Sequence, residues 1–106
     1  MASGILGQAA LSATTNTTVY TVPTSTLAVV NINVVNRSPS ATAAIRVALA
    51  STATPQNSEW IEYDSVIPTN GVLERTGIAI NAAERVVVYA STANCSVSVY
   101  GLEQAV

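Results

Sequence analysis

The chain has no lysine, no histidine and no phenylalanine, and its only cysteine is Cys95. Positive charge therefore comes only from Arg37, Arg46, Arg75 and Arg85, and the net charge is −2. Binding to a phosphate backbone draws on clustered lysine and arginine, so no nucleic-acid partner is expected. One cysteine excludes an intramolecular disulfide and a cysteine-only zinc site. Cys95 lies in the turn-like stretch Thr92-Ala93-Asn94-Cys95-Ser96, with no cation nearby in sequence to lower its pKa. It reads as a small residue at a strand start. There is no Ser-His-Asp set, no phosphate loop and no metal-ligand spacing. No enzyme and no cofactor are expected.

Charge of either sign is scarce. Charged residues make up 9% of the chain, where about 25% is usual for soluble domains. The surface of this single domain must be covered mostly by threonine, serine, asparagine and alanine, and such a surface is prone to associate. Much of it is accordingly expected to be covered by other subunits. No window approaches the roughly 18 apolar residues of a membrane span, so no membrane partner is expected. The opening MASGILGQAALSA lacks a charged n-region and a sustained apolar core, so it is not read as a secretory signal.

What the chain has in abundance is β-branched alternation. Leu27–Asn36 is its longest such run, with Val30, Ile32 and Val34 on one face and Asn31 and Asn33 on the other. Ala43–Ala50 alternates as clearly, with Ile45, Val47 and Leu49 opposite Arg46 and Ala48. Thr17–Val22, Glu59–Ile67, Val72–Ile80, Arg85–Ser91 and Ser96–Glu103 complete seven predicted strands. Pro68-Thr69-Asn70-Gly71 carries a hairpin signal, and Thr92–Cys95 is expected to close a last hairpin. Gly77 reads as a bulge. These features predict an all-β fold: one antiparallel β-sandwich over residues 14–106, of seven or eight strands. Either a jelly-roll-like or an immunoglobulin-like topology fits the pattern. Residues 1–13 form an N-terminal arm or an edge strand, and the arm version would add to a neighbouring subunit.

Several side chains are candidates for contacts. Glu62 and Asp64 fall with Trp60 on one face if the strand is regular, their carboxylates roughly 7 Å apart. Such a pair suits glycoside hydrolysis or calcium, but no third ligand stands nearby. Trp60, Glu62 and Asp64 are therefore expected to lie on a solvated strand face, with a glycan or subunit contact as the alternative. No catalytic, cofactor-binding or metal-binding residue is assigned. With no phenylalanine available, Trp60, Tyr63, Tyr89 and Tyr100 are expected to fill core or interface. Ile5, Leu6, Asn31, Asn33, Val35, Arg75 and Arg85 are the candidate subunit-contact residues.

A resemblance covers nearly the whole chain, from Leu6 to Glu103. The segments Val19-Tyr20-Thr21-Val22-Pro23, Val34-Val35-Asn36-Arg37, Ile45-Arg46-Val47-Ala48-Leu49 and Glu62-Tyr63-Asp64 stand in order. They are followed by Ile67-Pro68-Thr69-Asn70-Gly71, Glu74-Arg75-Thr76-Gly77-Ile78 and Val87-Val88-Tyr89-Ala90-Ser91-Thr92-Ala93-Asn94. This set resembles small structural proteins of tailed bacteriophages, of the type found in marine and cyanobacterial phages. The chain departs from similar ones at Thr24-Ser25-Thr26, where a Gly or Lys is common. The resemblance implies a non-enzymatic virion protein, assembled in the host cytoplasm. It would be a capsid decoration or cement protein, or a tail or tail-fibre accessory module binding a host surface glycan. The implied partners are major capsid or tail proteins and further copies of the chain, as a symmetric oligomer such as a trimer. A bacterial surface or extracellular β-domain is a third reading.

Overall fold

The computed structural model describes residues 2–106. Its strands are β1 (Ser3–Ala10), β2 (Thr17–Thr21), β3 (Thr26–Asn36), β4 (Ala43–Ala50), β5 (Trp60–Ile67), β6 (Val72–Ile80), β7 (Arg85–Ala90) and β8 (Cys95–Ala105). A single 3-10 turn, Asn57–Glu59, precedes β5. Two four-stranded sheets result, ordered β1-β8-β3-β6 and β2-β7-β4-β5. All strand pairings are antiparallel. The chain is an all-β sandwich.

The strand order decides the topology. β1 pairs with β8, β2 with β7, β3 with β6 and β4 with β5. The chain is thus one long hairpin rolled up on itself, which is the jelly-roll arrangement. An immunoglobulin order would pair the first two strands with each other; here they lie in different sheets. Only β4 and β5 are both consecutive and paired. The Asn-Gly turn after β5 and the turn after β7 therefore do not close hairpins. Both carry the chain from one sheet to the other. The local geometry is as expected, with Asn70 at φ 55 and Gly71 N–H donating to Pro68 O at 2.9 Å. A tight turn reverses the chain, but it does not choose the strand that the reversed segment pairs with.

Residues 3–10 are an integral edge strand of the chain's own sandwich, paired with β8 from Ser3↔Leu102 to Ala10↔Ser96. They do not reach away as an arm. Leu11, just beyond, is 2% exposed and packs in the core. At Gly7 the two sheets approach closely, since a Cβ there would lie 2.3 Å from Val19 O. Gly7 permits this closure of β1 on β2.

The core lies between the sheets. Val30, Ile32, Val34, Ile45, Val47, Val86, Val88, Val97 and Val99 are buried and belong to one cluster. Of the aromatics, Tyr20 alone joins it. Trp60, Tyr63, Tyr89 and Tyr100, expected to fill core or interface, lie outside this cluster. The small β-branched and alanine side chains fill the gap of about 10 Å between packed sheets without them. Leu49 only partly enters the core, while Ala48 and Ala50 are fully buried on the outer side beneath Trp60.

Cys95 opens β8 and is fully buried. Burial pushes its thiol pKa up, against smaller opposing effects from Thr92 and Arg37. A thiol that is both shielded and protonated reacts slowly. Native protein should therefore resist a thiol-specific chromogenic reagent and react fully once unfolded in urea. Rapid labelling of the native chain would contradict this.

One ionisable pair ties β2 to β8. The Tyr20 hydroxyl donates to Glu103 Oε2 at 2.5 Å, and Glu103 also accepts from Ala2 N–H at 3.2 Å. Burial first, then the bond to Glu103, raises the Tyr20 pKa well above its ordinary 10.0. The Tyr20 hydroxyl, then the Ala2 N–H, hold the Glu103 carboxyl below its usual range. A depressed acid contributes stability at neutral pH that is lost as pH falls through its folded pKa. A raised tyrosine contributes stability below pH 10.0 that is lost in stronger alkali. Melting temperature against pH should therefore fall less steeply in acid for Glu103→Gln than for the parent chain. Tyr20→Phe should flatten the alkaline limb, and parallel profiles for all three chains would refute the coupling.

Candidate functional site

The outer face of β2-β7-β4-β5 gathers the aromatic and charged side chains that the core leaves out. Arg46 sits on the outward alternation of β4, opposite Tyr89 of β7. Its guanidinium lies 4.2 Å from the centroid of the Tyr63 ring and 4.6 Å from that of Tyr89. Arg46 Nε donates to Asp64 Oδ1 at 2.7 Å, and Nη2 to Oδ2 at 3.4 Å. This bond, more than any other influence, raises the Arg46 pKa above its ordinary value. Trp60 meets Tyr63 edge-on, with centroids 5.4 Å apart and planes at 75°. It rests on Ala48, Ala50 and Val87. Tyr63 remains 57% exposed, so the cluster presents a ring, an indole edge and a neutralised guanidinium–carboxylate pair to solvent. Such a surface can stack on a planar or sugar face and offer hydrogen bonds at its margin.

The sequence assembled a different set. Trp60, Glu62 and Asp64 share one face only if β5 is regular, and it is not. Its register against β4 shifts twice, between Ile45 and Val47 and between Val47 and Ala48. Asp64 itself has φ 55. Each bulge inserts an unpaired residue and breaks the two-residue alternation. Asp64 therefore goes to Arg46, while Glu62 accepts hydrogen bonds from Arg75 Nε and from the Ser65 hydroxyl. The carboxylates have separate arginine partners and do not form a joint acid–base or calcium site. Among the described residues no three His, Cys, Asp or Glu side chains converge on a metal position.

The candidate subunit-contact residues also scatter. Arg75 of β6 forms its ion pair with Glu62 of β5, bridging the two sheets within the chain. Leu6 turns inward and packs against the core, whereas Ile5 is 68% exposed. Asn31 accepts a hydrogen bond from Gly77 N–H at 3.1 Å, filling the bulge where β6 slips against β3. Asn33 and Val35 lie half-buried on the outer face of β3. Arg85 lies opposite Thr21 and Ala50, and its Nε is buried without a hydrogen-bond partner. Tyr89 and Arg46 completed the aromatic cluster unseen, because their pairing across β4 and β7 has no local sequence signal.

The other polar centre is structural, and it too escaped the sequence reading. Asn36 is fully buried. Its Nδ2 donates to Ala41 O at 2.8 Å, Pro68 O at 3.2 Å and Ile67 O at 3.4 Å, and its Oδ1 accepts from Ser38 N–H at 3.1 Å. It joins the turn after β3 to the turn after β5. Arg37 N–H donates to Asn94 O at 2.9 Å and brings in the turn after β7. At the opposite end, Glu59 accepts from the N–H groups of Gln56 and Ser51 and closes the loop between β4 and β5. Those two bonds, Gln56 first, hold its carboxyl below the ordinary value. A shallow depression beside β1, lined by Gln8, Ala10, Ser96 and Ser98 among others, contains no titratable group. No helix is long and apolar enough to cross a membrane among the described residues. No protein-family model, no curated protein and no solved structure matches the chain.

Proposed function

We propose that the chain is a non-enzymatic structural protein of a bacteriophage particle, a decoration or cement subunit acting through its outer sheet faces. It would assemble in the host cytoplasm as a symmetric homo-oligomer bound to capsid or tail proteins. The observation that carries the reading is the outer face of β1-β8-β3-β6. Ile5, Val29, Leu102 and Val72 are all exposed there, on a chain with very little charge to keep such a surface in water. The resemblance to small phage virion proteins supplies the setting, and the jelly roll suits it, being an architecture used by capsid and lectin domains. Electron microscopy of particles carrying a tagged copy tests the reading. Density on the capsid or tail is the expected result; a particle lacking the protein throughout would end it.

The Trp60–Tyr63–Arg46–Asp64 cluster favours a second reading, a tail or fibre module that binds a host surface glycan through the opposite face. A glycan array separates the two. A cement protein gives no hit, and a glycan module loses its hits on Trp60→Ala or Tyr63→Ala.

A further inference from the structure

The outer face of β1-β8-β3-β6 carries almost no charge at its strand positions. By the strand register, its outward positions include Ile5 and Gln8 on β1, and Ser98, Tyr100 and Leu102 on β8. Val29, Asn31, Asn33 and Val35 on β3 lie beside them, flanked by Val72, Glu74 and Ala79 on β6. Glu74 is the one charged residue at an outward strand position there, among the described residues. Arg75 and Glu103 fall on the inward alternation, opposite Ile32 and Ala28. The apolar side chains are not scattered. Leu102 stands between Ser3 and Val29, and Tyr100 between Ile5 and Asn31, so Ile5, Tyr100, Leu102 and Val29 form one patch. The polar row Gln8, Ser98, Asn33 and Glu74 lies beyond it.

We infer that this face binds a second copy of the chain, two-fold and face to face, with Val29 and Leu102 near the axis. The inference rests on the assembly role proposed above and names the surface that performs it. Charge argues for a second copy as the occupant. A face with so little charge calls for a partner face that is equally uncharged, and the chain itself supplies one. The single acid is placed to tolerate the pairing. Glu74 pairs with Asn33, four residues along β3 from Val29; that is roughly 13 Å at the rise of a strand. A two-fold that joins the faces lies between them; running across the strands at Val29 and Leu102, it sets the two Glu74 carboxylates on opposite flanks, roughly 26 Å apart and beyond the Debye length of physiological salt. In a two-fold contact the same patch meets itself, so apolar centre packs on apolar centre and the polar row becomes the rim. Size agrees as well. Four strands of about ten residues span about 35 by 19 Å, roughly 650 Å² in projection. A stable interface takes about 800 Å² of accessible surface per partner, and the pleated face offers more than its projection.

Sedimentation of the purified full chain at micromolar concentration is the test. A dimer is expected. Leu102→Lys and Val29→Glu should each give a folded monomer, with the parent's circular dichroism and a cooperative melt. Val66→Lys, on the outer face of the opposite sheet, should stay dimeric. Because the contact is self-complementary, mixing Leu102→Lys with Leu102→Glu protein should restore a dimer that neither forms alone. A parent chain that is monomeric or trimeric overturns the inference, as does a Leu102→Lys protein that remains dimeric. These outcomes are independent of particle location. A monomer that still decorates particles would leave the assembly role standing and assign this face to a capsid or tail protein. A dimer absent from particles would do the reverse.

Discussion

Deleting residues 2–11 should abolish the cooperative melt of this protein. The segment holds β1, which covers one edge of β8 along the register from Ser3↔Leu102 to Ala10↔Ser96, and Leu11, which is 2% exposed. The backbone hydrogen bonds lost are largely offset by the conformational entropy the missing residues no longer forfeit. Apolar burial is not offset. Removing Leu11 forfeits about 1.5–3 kcal/mol, and removing Leu6 part of a similar amount. Val19, Val97 and Val99 then face water on the side that β1 and Gly7 had closed. The sum is several kcal/mol, against total stabilities of about 5–15 kcal/mol for domains in general. Circular dichroism and calorimetry of the truncated chain measure the effect. A synthetic peptide of residues 2–13 should restore folding when added, since it carries the strand that pairs with β8 and the Leu6 and Leu11 side chains that pack on the core. A truncated chain that melts like the parent would show that β1 is an appendage after all.

Asn36→Asp should be the most damaging single-atom-scale change in the molecule. The replacement keeps the oxygen that accepts from Ser38 N–H and exchanges the amide nitrogen for a second oxygen. That oxygen then faces the carbonyls of Ala41, Pro68 and Ile67, all within 3.4 Å of the present nitrogen. A buried carboxylate with no compensating charge costs about 3–5 kcal/mol. The cost has a pH signature of known sign. Burial raises the pKa of such a carboxyl in the folded state above about 3.9, its unfolded value. Relative stability is then greatest below that pH and falls as pH rises towards the folded pKa. Urea denaturation at acidic and neutral pH should show the variant losing ground to the parent on going to neutrality. Asn36→Leu should cost about 2 kcal/mol with no such dependence, since it leaves the carbonyls unpaired without adding charge. An Asn36→Asp chain as stable as the parent at neutral pH would mean that the turns after β3 and β5 are not held together by this amide.

The local order of this chain was written in its sequence. The alternation of Val30, Ile32 and Val34 against Asn31 and Asn33 reported which face of β3 is buried, because side chains alternate across a strand whatever its neighbours are. Pro68-Thr69-Asn70-Gly71 and Thr92–Cys95 reported where the chain turns, and Gly77 reported a bulge. From these the all-β class and the strand count follow.

Pairing was decided only in three dimensions. A turn signal fixes a reversal within four residues, whereas β1 with β8 is a choice among distant segments of similar β-branched composition. That is why the turns after β5 and β7 read as hairpins and proved to be crossings, and why β1 read equally as an arm or an edge strand. The candidate surface was hidden for the same reason. Its residues come from β4, β5 and β7, and two register slips in β5 send Asp64 to Arg46 and Glu62 to Arg75. A slip of one residue exchanges the faces of everything beyond it. Composition alone showed that the chain carries little charge; the fold decided which face is left almost without it.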